Sequence, residues 1–376
     1  MRGVVVDGLR FVITDKTGAY LRDVSGFDAE AVLAPNVIPA AEFTVPSDHE
    51  VASLITLDGA RCRVFFRGEE RFRGLIQETP GTGPDGEVTA RVVGDLQNLW
   101  SWYGRQVPTA PIGNQFQDYR TYSGPSETVF KNALRENFTR LGVPWTVAPD
   151  LGRGSQVQTQ FRMHPLADKL MPLLDADNLT VVITYVDNAA GVQTGVVVDV
   201  REPDTVPGVL TLETGIPDSY TYTREAPTVT RVVVGGRGEG VERKFIEVIH
   251  APREAEWGII REGFVDGRNT EEGADLTVDA YEALADGAAK VGVNTTLVET
   301  DRFSFGSTYQ VGDLVSIDVA PVQALQRISV SISETADEGV VVTPRIGELD
   351  ETEDTDARLW RAVARLSRGI RDQGRR

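Results

Sequence analysis

The chain has 376 residues, of which 41% are hydrophobic, and it carries a formal net charge of −18. It contains no apolar run of about 18 residues, so no transmembrane helix is expected. Its start lacks the long apolar core of a signal peptide, and we therefore expect synthesis in a cytoplasm without export by that route. Cys62 is the only cysteine, which excludes an intrachain disulfide and a cysteine-based zinc site.

The charge is unevenly distributed along the chain. Residues 358–376 contain seven arginines and one aspartate, so the remainder is more acidic than the total suggests. An acidic body of this kind is a poor candidate for binding nucleic acid, because phosphate contacts require Lys and Arg. Attachment to anionic membrane surfaces is disfavoured for the same reason.

Residues 1–105 show short strands separated by glycine-rich turns, which is typical of a small barrel-like β domain. In one strand Cys62, Val64 and Phe66 alternate with arginines, so these three side chains are expected to be buried together. Residues 95–103 follow with the spacing of a short helix. The strands of this region are predicted at residues 10–15, 42–45, 60–67, 71–78 and 87–93.

Residues 106–215 have the pattern of an α+β domain. An aperiodic loop over residues 106–124 precedes a helix that begins at Pro125 and ends at Gly142, with one apolar stripe expected in the core. A second helix is predicted at residues 165–175, where Pro172 should kink or shorten it. Two further strands are predicted at residues 179–186 and 192–200.

Residues 216–347 are predicted to form a second barrel-like β domain with a helical insertion at about residues 274–292. Its first feature is a β-branched strand over residues 228–234, followed by the glycine-rich turn 235–240 and a returning strand. A phosphate-binding loop is the alternative interpretation, but the glycine spacing matches neither nucleotide motif and no helix follows the turn. We therefore predict a plain hairpin.

The chain ends with an acidic linker at residues 348–356 and a basic amphipathic helix at residues 357–376. Because a lone helix of this length is marginal in water, its narrow apolar stripe requires a partner. Copies of itself, another protein or an anionic membrane could each serve, and docking onto a neighbouring protein or subunit is favoured. The candidate docking stripe consists of Leu359, Val363, Leu366 and Ile370.

No arrangement of residues in the sequence indicates catalysis. His49, His164 and His250 have no metal-ligand spacing between them, and Cys62 alternates with apolar residues as a buried, inert thiol does. No serine-hydrolase elbow, zinc-protease motif or calcium loop occurs. We therefore predict a protein that is not an enzyme, with no catalytic residues, no cofactor and no metal.

Four groups of segments occur in an order that resembles one family of phage proteins, the Gp37-like minor tail proteins of long-tailed phages that infect actinobacteria. They span residues 40–347, and their order along the chain carries the resemblance. The segments are residues 42–46 with 62–66 and 72–76; 124–129 with 161–166; 232–240 with Arg243; and 309–315 with 344–347.

This resemblance implies a trimeric hub at the tail tip, with two barrel-like domains per subunit flanking an α+β domain. Three subunits would then match the sixfold symmetry of the tail tube. It also implies other tail proteins as partners and a location in the virion. The acidic charge suits a duct through which DNA passes without adhering, by like-charge repulsion, and this is our hypothesis. The resemblance supplies no catalytic residues.

Two other functions are left open by the sequence. A tail-associated cell-wall hydrolase would need a catalytic group, for which Cys62 and His164 are the available residues. A receptor- or carbohydrate-binding module could use Trp100, Trp102 and Tyr103 to stack on sugar rings, although a buried amphipathic helix also accounts for these aromatics.

Overall fold

The computed structural model describes residues 8–215, 217–238, 240–268, 276–319 and 322–346. The chain forms two compact units. Unit 1 contains the residues up to Tyr220 and those from Asn294 onward, and unit 2 is Thr221–Val293. Unit 2 lies within the sequence predicted as the second β domain. The predicted second β domain, residues 216–347, contributes residues to both units, and the three-domain division from the sequence remains a prediction.

The described part of the chain is β-rich, as predicted, and its longest helix has 16 residues. The helices are α1 (Glu50–Ile55), α2 (Asn98–Ser101), α3 (Ser126–Leu141), α4 (Leu166–Ala176), α5 (Ala251–Trp257) and α6 (Thr277–Asp286). The strands are β1 (Leu9–Thr14), β2 (Tyr20–Ser25), β3 (Ala29–Leu33), β4 (Ala40–Pro46), β5 (Arg61–Phe66), β6 (Glu69–Glu78), β7 (Glu87–Gly94), β8 (Tyr103–Gly104), β9 (Arg120–Pro125), β10 (Trp145–Val147), β11 (Gln156–Phe161), β12 (His164–Pro165), β13 (Thr180–Asp187), β14 (Gln193–Arg201), β15 (Thr205–Leu210), β16 (Pro217–Glu225), β17 (Arg231–Gly235), β18 (Phe245–Ile249), β19 (Glu262–Asp266), β20 (Lys290–Leu297), β21 (Leu314–Val319), β22 (Val322–Thr335) and β23 (Gly339–Ile346).

A large sheet forms the frame of unit 1. Its strands follow the order β20-β23-β22-β3-β4-β7-β6-β5-β1-β2, and β21 pairs with β22 while β15 pairs with β21. The pairing of Val330 with Leu33 joins strands from the two predicted β domains in this one sheet. No closed barrel is found among the described strands. Local alternation identifies a strand but not its distant partner, so the sequence could not show this shared sheet.

The middle of the chain packs on one side of this frame around α3 and α4. The sequence predicted a helix that begins at Pro125, and α3 begins one residue later. Gly142 ends the helix with a left-handed φ of 65°, as predicted. Pro172 lies inside α4, yet the helix continues to Ala176. The apolar stripes of both helices are buried in one core with α2 and the strands β13 and β14.

Unit 2 contains a three-stranded sheet of order β18-β17-β19. The helical insertion predicted at about residues 274–292 corresponds to α6, which is shorter than expected: it ends at Asp286, and β20 begins at Lys290. Unit 2 has a small core of its own, in which Val232 and Val234 of β17 pack against Ala280 and Leu284 of α6. No helix among the described residues is long and apolar enough to span a membrane.

Candidate assembly surfaces

The sheet of unit 2 has one covered face and one exposed face. Side chains alternate between the two faces of a strand, and α6 packs against the face that carries Val232 and Val234. The pairings of Gly235 with Phe245 and of Val233 with Phe264 place both aromatic rings on the opposite face. Phe245 is 55% exposed and Phe264 is 59% exposed. We call this surface the aromatic face of unit 2.

Arg243 lies at the aromatic face and closes the glycine-rich turn. Its guanidinium carbon lies 5.4 Å from the centroid of the Phe245 ring and 5.6 Å from that of Phe264. It donates hydrogen bonds to the carbonyl oxygens of Gly235, at 2.9 Å, and Gly236, at 3.0 Å, and to the Asp266 carboxylate, at 2.8 Å. An arginine therefore holds the aromatic face and the turn together.

The hairpin predicted at residues 235–240 is confirmed by the antiparallel pairing of β17 with β18. Gly238 has a φ of 110°, and a Cβ there would lie 2.7 Å from the Glu242 carbonyl oxygen, so the turn requires glycine at this position. The Gly236 N–H donates to the Lys244 carbonyl and is not available to a phosphate. That no nucleotide binds at this turn remains a prediction.

A buried ionic cluster fixes the middle of unit 1. Lys131 is completely buried, and its ammonium group donates to Glu127 at 2.6 Å, Asp199 at 2.6 Å and the Pro149 carbonyl at 2.8 Å. Burial alone would raise the pKa of Glu127, but hydrogen bonds from Arg153 and Lys131 outweigh it and lower that pKa to about 2. The buried Lys131 and Glu127 both have hydrogen-bond partners within the cluster, as is typical of a structural site.

A second network connects this middle region to the large sheet. Arg73 of β6 is buried and forms a bidentate pair with Asp187 of β13, at 2.6 and 2.7 Å, and also donates to Glu70 at 2.5 Å. The Tyr185 hydroxyl accepts from the Arg73 N–H at 3.0 Å and donates to its carbonyl at 3.1 Å. Because these groups satisfy one another, the network positions β13 rather than a substrate.

The residues considered for chemistry have structural roles. Burial raises the pKa of the Cys62 thiol, which disfavours the reactive thiolate. Nδ1 of His49 and of His250 accepts a backbone N–H at the start of a helix, and Nδ1 of His164 accepts the Arg162 N–H at 3.0 Å. No group of three or more metal-ligating side chains occurs among the described residues.

The aromatic residues proposed for sugar binding lie in or against the core. Trp100 is buried, and the Trp102 ring packs edge-on against Trp145 at 5.0 Å and Phe138 at 5.7 Å. Tyr103 is half-buried in β8, where its carbonyl accepts a hydrogen bond from Arg140. Their arrangement therefore matches the buried-helix interpretation better than an open stacking platform.

The remaining sequence-predicted site lies outside the described residues. This is the candidate docking stripe of Leu359, Val363, Leu366 and Ile370, together with the acidic linker at residues 348–356. The aromatic face, in contrast, was not predicted. Its only signal in the sequence is a strand with apolar residues at adjacent positions, Phe245 and Ile246, which must point to opposite faces of a sheet.

Comparison with protein families identifies the chain. The family described as Siphovirus ReqiPepy6 Gp37-like protein matches residues 24–364. The chain belongs to this family. The match covers most of the sequence, and it confirms the resemblance to phage tail proteins that the order of segments indicated.

Two solved tail proteins share the fold of this family member. The 43 kDa tail protein of prophage MuSo2 from Shewanella oneidensis aligns with a TM-score of 0.53 and 13% identity, over 90% of this chain and 98% of that one. The tail protein from Neisseria meningitidis MC58 aligns with a TM-score of 0.52 and 10% identity, over 91% and 97%. No curated protein matches the sequence. The shared fold extends over nearly the whole length of all three chains.

Proposed function

We propose that this Gp37-like chain is a structural virion protein that forms a trimeric hub at the tip of the phage tail. The hub joins the tail tube to the distal host-attachment apparatus. The observation that carries the proposal is the family match over residues 24–364. A fold shared along 90% of the chain with a prophage tail protein supports it further.

The exposed surfaces supply contacts for such an assembly. The aromatic face of unit 2 offers Phe245 and Phe264 with Arg243 between them, and Arg and aromatic residues are enriched in the buried centres of protein interfaces. We assign this face to contact with a neighbouring subunit or tail protein. The docking stripe around Leu359 and Leu366 is assigned to the same kind of partner, in preference to a membrane.

The charge of the chain suits a protein that lines the DNA exit path. At −18, the subunit repels a polyanion, so DNA passing through a ring of three copies would not adhere. The role needs no enzymatic activity. The buried Cys62 thiol and the histidines that accept backbone hydrogen bonds are consistent with a structural protein.

Localisation in the virion tests the proposal. A phage lacking the gene should produce no normal tails, and complementation with the full chain should restore them. Gold-labelled antibodies against the chain should mark the end of the tail that is distal to the head. Labelling along the whole tube, at the head or at no part of the virion would refute the tail-tip assignment.

A further inference from the structure

Unit 1 contains a cavity of about 320 Å³ that the tail-hub role does not use. This volume lies near the lower limit of the pockets that bind small ligands or side chains. Its lining comes from β3, β6 and β13 and from the loop before β21. Most of the wall is apolar, and it includes Leu33, Phe72, Leu96, Val181, Ile183 and Phe305.

Arg71 brings a positive charge without an acidic partner to this wall. Its guanidinium stacks on Phe305, 4.4 Å from the ring centroid, and donates one long hydrogen bond of 3.4 Å to the Phe66 carbonyl. Its buried Nε has no hydrogen-bond partner, and none of the described carboxylates pairs with it. Desolvation lowers the pKa of Arg71, and the nearby Glu69 carboxylate, which forms no salt bridge with it, offsets only part of this effect.

The carboxylates that line the cavity are already engaged elsewhere. Glu70 accepts hydrogen bonds from Arg63 and Arg73, and Asp95 accepts two from Arg61. Neither is available to Arg71 without breaking a pair. A ligand that brings its own carboxylate would therefore form the charge-assisted pair that the cavity wall does not supply.

Thr180 adds a second unsatisfied group to the same cavity. Its side chain is 5% exposed, and its Oγ1 has no hydrogen-bond partner. A hydroxyl and a guanidinium beside an apolar wall complement a carboxylate attached to an aliphatic group. An acidic peptide segment that contains a leucine has this chemistry.

The chain itself carries such a segment close to the cavity. Strand β23 ends at Ile346, which pairs with Ile328. The Ile328 N–H donates to the Asp313 carbonyl, and the Ile328 carbonyl accepts the Gly312 N–H, both at 2.9 Å. Gly312 follows Val311, which lines the cavity. Ile346 is therefore separated from the loop at Gly312 and Asp313 by two strand spacings, about 10 Å. About three extended residues can cover this distance.

We propose that residues 348–351, which read Glu-Leu-Asp-Glu, bind in this cavity. An acidic side chain of the segment pairs with the Arg71 guanidinium, and Leu349 packs against the apolar wall. The interaction satisfies the buried charge and removes Leu349 from water. It makes these residues an anchoring segment rather than a solvated linker, and it does not depend on the hub role.

Photo-crosslinking in the full-length chain tests the proposal. With Leu349→p-benzoylphenylalanine, mass spectrometry should map crosslinks to Phe72, Val181 or Val311 of the cavity wall. Arg71→Met should lower that yield about tenfold, because it removes a charge-assisted hydrogen bond but keeps the apolar stem. Arg302→Met is the matched control: Arg302 is an exposed arginine outside the cavity lining, and its substitution should leave the yield unchanged.

A triple substitution, Glu348→Gln with Asp350→Asn and Glu351→Gln, should lower the yield as Arg71→Met does. Equal melting temperatures of the variants would show that the fold is intact. Mixing isotopically light and heavy chains identifies the source of the segment: crosslinks within one chain support the proposal, whereas crosslinks only between two chains would contradict it. Crosslinks that map outside the cavity, or a yield unaffected by Arg71→Met, would overturn the proposal.

Discussion

The middle region of unit 1 encloses charged side chains, whereas the small sheet of unit 2 leaves aromatic side chains exposed. In unit 1 even a lysine, Lys131, is completely enclosed and fully paired. In unit 2 the core around Val232 is small, and two phenylalanines remain in water. The ionic cluster around Lys131, whose groups satisfy one another, is expected to serve as scaffold, whereas a sheet face that exposes two neighbouring aromatic rings is expected to bind a partner.

The largest effect is expected at the buried ionic cluster. Lys131→Met should reduce the free energy of unfolding by about 3–5 kcal/mol, because Glu127 would lose a partner while remaining buried. Chemical denaturation of the purified chain measures this change. Lys16→Met, at an exposed lysine, is the control and should change stability by less than about 0.5 kcal/mol. Equal effects of the two variants would mean that the cluster is not a stabilising element.

The core of unit 2 should be the next most sensitive site. Leu284→Ala should destabilise this unit by about 2–4 kcal/mol, because it leaves a cavity against β17. Hydrogen exchange of the β17 amides reports the loss locally. Ile260→Ala, at a side chain that is 65% exposed, should leave that exchange nearly unchanged. If both variants accelerate exchange alike, the small core does not hold the unit together.

The ionic cluster should also make stability depend on acid pH. The pKa of Glu127 in the folded chain is about 2, below its usual value near 4.5, so its contribution is fully present above about pH 5. That contribution is lost as the pH falls towards about 2. Glu127→Gln should flatten this part of the stability profile, as thermal melts between pH 2 and 6 would show. An unchanged slope would assign the acid sensitivity to other carboxylates.

The smallest effect on stability is expected at the aromatic face. Phe264→Ser should change the free energy of unfolding by less than about 1 kcal/mol, since the ring is already largely in water. Incorporation of the chain into virions should nevertheless fall sharply, and quantitative mass spectrometry of purified particles measures it. Tyr20→Ser, at an exposed aromatic of unit 1, is a matched control. Normal incorporation of the Phe264 variant would remove this face from the assembly contacts.

Several elements of unit 1 follow directly from local sequence patterns. The alternation of Cys62, Val64 and Phe66 predicted β5 and its buried face, and all three side chains are inaccessible. Pro125 and Gly142 marked the ends of α3 because their backbone preferences are strong and local. Patterns of this kind need no information about distant parts of the chain.

Other features depend on contacts that no local pattern encodes. Glu127 and Lys131 have the spacing of an exposed helical pair, and only the packing of Asp199 and Arg153 around them encloses both. The pairing of β22 with β3 likewise joins residues about 300 positions apart. The aromatic face was missed for the same reason, because burial of a strand depends on what lies above it.

The most direct test of the hub assignment is a cryo-electron microscopy map of the intact tail tip. We predict three copies of this chain in a ring at the distal end of the tube, with the aromatic face of unit 2 in contact with a neighbouring protein. A map that contains one copy, or six equivalent copies, or that leaves Phe245 and Phe264 facing solvent would contradict the account.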